Sequence, residues 1–570
     1  MGHLRHGATL AALFGLTALA CGPATPPQNP LPQTPMAPAP SPTVTLSDAS
    51  ASPISFDRMA AFPPPGWQIP RAAQWSPDGK LVTYLQSESH SDEMALFAFD
   101  VATGQHQVLV RAADLTDTSR PLSREEELRR ERQRKRIKGV TAYAWAAGAP
   151  VMLLPLGGEI FLRRKDGTIR QLTDSPSPEI DPKLCNDGSR VAFVRDRELH
   201  LVEVDTGAER ALTRGAPTGV SRGLSDFNGQ EEFGEPSGLW WAPTCDRLAY
   251  LEVDERQVSQ IPIMGYRQGH DLQQHRYPRS GSTNATIRLG VLEIATGRSV
   301  WIELPTPAGW DTEAGYLGRV TWSEDGQRLF LQRLSRDQRR LALVQANPKT
   351  GEARHLAEER DPSWQQFGAM RALPDGSILW TVWRDGHRHL ERRSGATGER
   401  LAQLTEGAWD VSQLVGVDPV GSRVLFIGNR DGVLDRQLYA APVAGGGPVT
   451  QLSTEPGAHA VAGRHPERGW VDIHSANDRL PQAVVHGPDG KELGTLPVPR
   501  AADFDSLRLR RAELVTLSRA GLPDLHGALL KPRHVEPGAR HPAVVVVYGG
   551  PAVQTVRNEY SPRLFWQHLA

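Results

Sequence analysis

A two-part unit recurs along most of this 570-residue chain and constrains its fold more than any other feature. The first part is an aromatic or apolar residue, a tight turn, then an alternating strand. It occurs as Trp75-Ser76-Pro77-Asp78-Gly79-Lys80-Leu81, Cys185-Asn186-Asp187-Gly188, Trp241-Ala242-Pro243, Trp322-Ser323-Glu324-Asp325-Gly326, Leu373-Pro374-Asp375-Gly376 and Val417-Asp418-Pro419. Pro fixes φ at the second position of the turn and Asp-Gly completes it. The second part is a hairpin that ends near Leu-Thr. Its turns fall at Thr103-Gly104, Asp166-Gly167, Thr206-Gly207, Thr296-Gly297, Thr350-Gly351, Thr397-Gly398, Gly445-Gly446 and Asp489-Gly490. Turn residues between alternating runs mark hairpins. Eight hairpins at about 40–60-residue spacing match the blades of a β-propeller. We therefore expect a mainly β chain with an eight-bladed propeller over residues 55–505. A solenoid or a sandwich of similar strands is the competing arrangement, and the recurring Trp and Asp-Gly turns favour the propeller.

Composition agrees. Gly and Pro (54 and 46 residues) make up about 18% of the chain, against about 12% in ordinary proteins, as turn-rich β structure requires. Acidic and basic residues nearly cancel, 65 against 64. A nucleic-acid partner is therefore not expected, because phosphate binders carry a basic excess. Three Cys make no disulfide framework. Cys185 and Cys245 lie near turns of different blades with no His at ligand spacing, so neither metal nor cofactor is expected.

The N-terminus reads as an address. Residues 1–21 combine a basic start, the short apolar run Ala8–Ala20, and Cys21. That is the pattern of a bacterial secretory signal, and Ala18-Leu19-Ala20-Cys21 resembles a lipobox with its Leu displaced by one place. An ordinary cleavage site beside an incidental Cys is the alternative. Residues 22–54 are mostly Pro, Ala, Thr and Ser, a composition that makes a tether rather than a core. The expected location is the bacterial envelope or periplasm, with lipid anchoring at Cys21.

Two stretches break the blade rhythm, and insertions in a repeat often map to a binding face. Ser123–Arg136 has strong helix formers with Glu early and Arg late, which suits the helix dipole. Glu125 can meet Arg129 and Glu126 can meet Arg130, and Glu126 is expected on the outer face. Asp226-Phe227-Asn228-Gly229-Gln230-Glu231-Glu232-Phe233 sets adjacent carboxylates among aromatics, an arrangement that can hold a cation. A solvated helix and a surface Glu-Glu pair are the plainer readings of the two.

After the last hairpin the texture changes. Glu513–Leu517, Gly527–Leu530 and Ala543–Tyr548 read as successive strands, and Val544–Val547 reads as one buried on both faces. That strand ends in Tyr548-Gly549-Gly550-Pro551, where catalytic loops sit in α/β sheets. Residues 506–570 thus read as the opening of an α/β sheet.

These segments together resemble the dipeptidyl peptidase IV family of serine exopeptidases, in the prolyl oligopeptidase group, over about residue 55 to the end. Gln230–Phe233 with Gly238–Pro243 resembles the family's double-glutamate segment, and Tyr250–Glu255 and Tyr277–Gly281 continue it. The Ser123–Arg136 stretch resembles the arginine-bearing helix of the eight/nine-type branch, and Val547–Pro551 the entrance strand of the hydrolase. Glu235 departs from the family, whose members usually carry Arg there. The family's nucleophile sits on a Gly-x-Ser-x-Gly elbow at a strand-to-helix turn of the hydrolase, followed by Asp and His. No such elbow is found here, so the resemblance implies that residues 506–570 begin an incomplete α/β-hydrolase domain and that the chain is truncated before its triad and inactive alone.

The resemblance implies release of N-terminal dipeptides with Pro or Ala second. Glu231 and Glu232 would bind the free ammonium of the substrate, which is largely charged at neutral pH. Arg134 would hold a substrate carbonyl, with Arg130 and Arg132 as alternatives. Tyr548 would donate to the oxyanion. The expected partners are peptides with a free N-terminus, and a homodimer is compatible with the family. The competing function is a propeller-only binding or scaffold protein of the envelope whose hydrolase part is degenerate.

Overall fold

The computed structural model describes residues 53–116, 123–264, 272–306, 310, 315–418, 422–465, 467–533, 535, 537–550 and 553–570. The signal segment, Cys21 and nearly all of the tether lie outside these residues, as does Pro551.

Eight antiparallel sheets follow one another along the chain, each with its four main strands in sequence order. We number these blades I to VIII, over residues 71–110, 144–171, 180–211, 220–301, 316–360, 370–403, 411–451 and 458–496. All eight expected hairpins link the third and fourth main strands of a blade. The Leu-Thr ending has a structural reason. In blade II the Leu172 N–H donates to the Ile160 carbonyl (2.8 Å), and Thr173 Oγ1 accepts from the Ile160 N–H (2.9 Å). Leu212-Thr213 on Leu199, Leu404-Thr405 on Leu390 and Leu452-Ser453 on Leu438 repeat the pattern. The outermost strand is thus tied off at its last residues, which protects a sheet edge that would otherwise fray.

Alternation along the strands buries apolar side chains between blades. Each pair of consecutive blades encloses its own buried cluster, such as Leu153, Ile160, Val191 and Phe193 between II and III. The last cluster joins Val471, Ala483 and Val485 of blade VIII to Trp75, Tyr84 and Phe99 of blade I, so the ring is closed. Closure needs close approach: a Cβ on Gly463, at φ +72°, would lie 2.4 Å from the Ala73 carbonyl oxygen.

The C-terminal part differs from expectation. Glu513–Leu517 and Leu525–Leu529 pair as an antiparallel hairpin, and Phe504, Leu507 and Leu564 form a small core with Ile54. Residues 543–548 form no strand, and Val544–Val547 are 61–82% exposed. A doubly buried strand exists only between neighbouring strands, and none flanks this run among the described residues.

The letters Gly-x-Ser-x-Gly do occur once, at Gly219–Gly223. There Val220–Arg222 is a blade IV strand paired with Glu252–Asp254, so Ser221 sits in a sheet ladder and not on a nucleophile elbow.

Candidate functional site

The two insertions meet. The first strand of blade IV is interrupted: Val220–Arg222 and Leu239–Trp241 both pair with Arg247–Asp254, and residues 223–238 leave the sheet between them. A bridge between Leu224 and Ser237 closes the excursion at its base. The base is tight, since a Cβ on Gly238 would lie 2.5 Å from the Leu224 carbonyl carbon. At the tip is a short helix, Phe227–Glu231. Its N-cap carboxylate, Asp226, accepts from the N–H groups of Asn228 (3.3 Å) and Gly229 (3.0 Å). Burial nevertheless pushes the Asp226 carboxyl up.

Glu231 ends this helix and Glu232 caps it. Carboxylates at a helix C-terminus face the negative end of the dipole, where cations are favoured. The placement is locally unfavourable and calls for a positive partner. Phe233 plugs the segment into the core between blades V and VI, against Tyr316 (4.8 Å) and Phe367 (5.1 Å). Glu235 pairs with Arg319 of blade V, so the residue that departs from the family pattern also anchors the segment.

The arginine helix, Arg124–Arg132, is capped by Ser123, whose Oγ accepts from the Glu126 N–H (3.2 Å). The chain returns to blade I through Lys138–Gly139, which pairs in parallel with Glu93–Met94. Arg129 fixes the helix to blade III by a 2.7 Å ion pair with the buried Asp181. Glu126 is not on an outer face as expected. It pairs with Arg130 (2.9 Å) and Arg129 (3.5 Å) and lines a cavity of about 490 Å³ between the helix and blades II and III. The physical reason is that Arg129 turns inward to Asp181 and draws the neighbouring carboxylate with it. The expected Glu126–Arg130 pair forms.

Three expected substrate residues lie at the junction. Arg134 adopts φ +55°, a left-handed conformation uncommon for a residue with a side chain. Its Nη2 donates to Glu231 Oε1 at 2.8 Å. Glu232 is exposed and has no ion-pair partner among the described residues. Arg132 also reaches the glutamate segment, donating to Gln230 Oε1 (3.1 Å) with its guanidinium 5.1 Å from the Phe227 ring centre. Tyr277 packs on the other ring contact of Phe227 at 4.8 Å. Burial lowers the Arg132 pKa, while Glu255, Glu231, Asp226 and Glu125 pull it back up. Four carboxylates thus surround this guanidinium, and Arg197 and Arg276 stand near Glu125 and Glu255 in turn. Arg130 is not part of this group; it lies on Glu126 and Thr141. Tyr548 is 55% exposed and makes no hydrogen bond or ring contact among the described residues.

The sequence profile of the dipeptidyl peptidase IV N-terminal region matches residues 158–468, more than half of the chain. The chain belongs to the dipeptidyl peptidase IV family. Human dipeptidyl peptidase 8 is 26% identical over 85% of this chain and 66% of its own length. The mouse protein of that name is 25% identical over 88% and 68%. The chain thus spans about two thirds of the length of these relatives. The crystal structure of Porphyromonas gingivalis dipeptidyl peptidase 4 superposes with a TM-score of 0.70 at 21% identity, covering 86% of this chain and 69% of that one, a likeness of fold. The eight-bladed propeller matches the dipeptidyl peptidase IV N-terminal region.

Two clusters in this family member were not legible from the sequence. In blade VIII, His459, Asp472 and His474 are buried together. The His459 ring faces an acceptor at each nitrogen: Asp472 Oδ2 at Nδ1 and the Glu455 carbonyl at Nε2, both 2.8 Å. An acceptor at each nitrogen favours the protonated ring; burial lowers the His459 pKa, but the Asp472 carboxylate outweighs it and the net shift is upward. The second cluster is Cys185, Asp187 and Cys245, at the boundary of blades III and IV. Aligning the first turns of the two blades would have exposed it.

Proposed function

We propose that this chain carries the substrate-reading part of a serine exopeptidase that releases N-terminal dipeptides. The observation that carries the reading is the Glu231–Glu232 pair at a helix C-terminus, with one carboxylate shared with Arg134 and the other unmatched among the described residues. An ammonium group satisfies such a site by charge-assisted hydrogen bonds. Internal stretches of peptide have no ammonium, so the pair acts as a ruler from the N-terminus. Arg134 commits one of its five N–H donors to Glu231, which leaves donors for a substrate carbonyl. The preference for Pro or Ala at the second position and the oxyanion role of Tyr548 rest on the family resemblance. So does the expectation that a Ser-Asp-His triad, absent from these 570 residues as a recognisable elbow, completes the reaction. We further place the protein in the bacterial envelope, held by lipid at Cys21, on the pattern of its first 21 residues.

The test is binding, which needs no nucleophile. Calorimetric titration of the 570-residue chain with an Ala-Pro-Ala peptide and with its N-acetylated form should show affinity only for the free amine. Glu231→Gln and Glu232→Gln should each weaken it. Equal affinity for the acetylated peptide would sink the ruler.

A further inference from the structure

The repeat itself points to Cys185 and Cys245. In the first turns of blades I, III, V and VI a residue near the end sits in the left-handed region: Gly79 (φ +67°), Gly188 (+75°), Gly326 (+64°) and Gly376 (+79°). The shared hydrogen bonding shows that these positions are equivalent. Gly79 N–H donates to the Ser76 carbonyl, Gly188 to Cys185, Gly326 to Ser323 and Gly376 to Leu373. A Cβ built on any of them points at the same turn of the preceding blade. From Gly188 it meets Ala149 (3.2 Å), from Gly326 Thr244 (3.3 Å), from Gly376 Arg328 (2.7 Å) and from Gly79 Arg468 of blade VIII (2.4 Å).

In blade IV this position is Cys245, with its N–H on the Ala242 carbonyl and φ +58°. A side chain in this backbone is strained, since only Gly visits it freely. The turn it faces in blade III contains Cys185. The two sulfurs lie within 4.8 Å of each other. Both residues are buried, at 0% and 2% exposure. The turns are already tied in register: Asn186 Nδ2 donates to the Pro243 carbonyl (3.3 Å) and Arg190 Nη1 to the Cys245 carbonyl (3.1 Å).

We propose that Cys185 and Cys245 form a disulfide that staples blade III to blade IV. The electron acceptor is a small or protein disulfide. One cysteine thiolate attacks it, giving a mixed disulfide and releasing one thiol. The second cysteine then attacks the mixed disulfide, forming the Cys185–Cys245 bond and releasing the second thiol. The two protein thiols lose two hydrogens in all, and the acceptor's S–S bond is reduced to two thiols.

The third member of the cluster is already engaged at one of its two carboxylate oxygens. Asp187 Oδ1 already accepts from Ser189 N–H (2.9 Å), Ser189 Oγ (2.7 Å) and the Cys185 thiol (2.7 Å). Burial, then the Cys185 thiol beside it, pushes the Cys245 thiol up to about 12. The reduced pair therefore presents little thiolate, and oxidation belongs to folding, before the turns close. The staple lies where it matters for the ammonium site. Blade IV carries the glutamate segment, and blade III holds the arginine helix through Asp181.

The full 570-residue chain, unfolded and refolded in an oxidised and reduced glutathione mixture, is digested without reduction and mapped by mass spectrometry. A peptide linked through Cys185 and Cys245 and lighter by two hydrogens is expected. Reduction should lower the wild-type Tm by a few degrees. Cys245→Gly, which restores the glycine of the repeat, should fold and show no Tm response to reductant. Both thiols free after oxidative refolding would overturn the proposal. A linkage of either to Cys21 would do the same, as would one equivalent of bound metal lost in Cys185→Ser.

Discussion

Arg134 and Glu231 form an ion pair across 97 residues of sequence, with Nη2 2.8 Å from Oε1. The arginine side chain is 78% exposed and the glutamate 22%. Such an exposed pair is worth only about 0–1 kcal/mol. On the proposed reading its cation would yield readily to a competing ammonium, so that the pair poises Glu231 rather than locking it. Arg129 on Asp181, at 14% and 6%, is the opposite case, an anchor out of water.

The contrast sets the first expectation. Arg134→Ala should leave stability within about 1 kcal/mol of wild type while weakening binding of Xaa-Pro peptides. Arg129→Ala strands a buried carboxylate, a loss of about 3–5 kcal/mol where no other partner exists. Lys183 remains 3.1 Å from Asp181, so the lower end or somewhat less is expected. Urea unfolding midpoints of the two variants separate the roles. Equal destabilisation would mean that Arg134 is structural too.

The two glutamates should not be equivalent. Glu231→Gln removes a carboxylate and leaves the Arg134 cation facing the incoming ammonium. Glu232→Gln removes a carboxylate that no arginine shares among the described residues. We expect the first to weaken peptide binding about tenfold or more, about 1.4 kcal/mol or above, and the second by less. Arg134→Ala in the Glu231→Gln background should recover part of the loss. A double variant no better than the single one would exclude the charge argument.

Local chemistry explains what could be read from the sequence. The hairpins at Thr103-Gly104 through Asp489-Gly490 were legible because a turn is specified by its own residues. The first turns of blades II and VIII, after Trp145 and after His465, lack the Pro-Asp-Gly signal and passed unread. Val544–Val547 shows the limit from the other side: an apolar run has strand propensity, but its burial depends on neighbours that local sequence does not report. The glutamate segment and Arg134 were found by resemblance. Their juxtaposition depends on an interrupted strand in blade IV that no periodicity marks. The cysteine pair needed the repeats to be laid over one another, since facing turns in consecutive blades are about sixty residues apart.

Stability should have a plateau in mildly acidic solution, set partly by blade VIII. Burial lowers the His459 pKa, but the Asp472 carboxylate outweighs it and the net shift is upward. That stabilisation is complete below the ordinary His value of 6.5 and is lost as pH rises through the folded value. Burial raises Asp472, yet hydrogen bonds from His459 and His474 bring it down to about 2. Its contribution is complete above its ordinary value of 3.8 and disappears as pH falls toward 2. Tm measured against pH should therefore fall on both sides of about pH 4–6.5, and His459→Gln should flatten both limbs. A wild-type profile unchanged by that substitution would show that the imidazolium is not coupled to folding.

Glu159 allows a test of the cavity beside the arginine helix. Burial, then the charge of Glu179, raises its carboxyl to about 7. Glu179 itself pairs with Arg195 and accepts from Thr173 (3.0 Å) and Ser175 (2.9 Å). A carboxyl whose folded pKa exceeds its ordinary 4.5 binds more protons folded than unfolded, so its contribution is complete below 4.5 and falls as pH rises through 7. Glu159→Gln keeps the shape of the protonated form and removes the titration. The variant should match wild type near pH 5 and exceed it in Tm at pH 8. Because His459 loses its contribution over the same alkaline range, the comparison is best made in the His459→Gln background. There, a residual alkaline fall that vanishes with Glu159→Gln assigns it to the Glu159–Glu179 pair. A Glu159→Gln chain less stable than its parent at pH 8 would mean that the carboxylate is ionised and its charge is used, reversing the assignment.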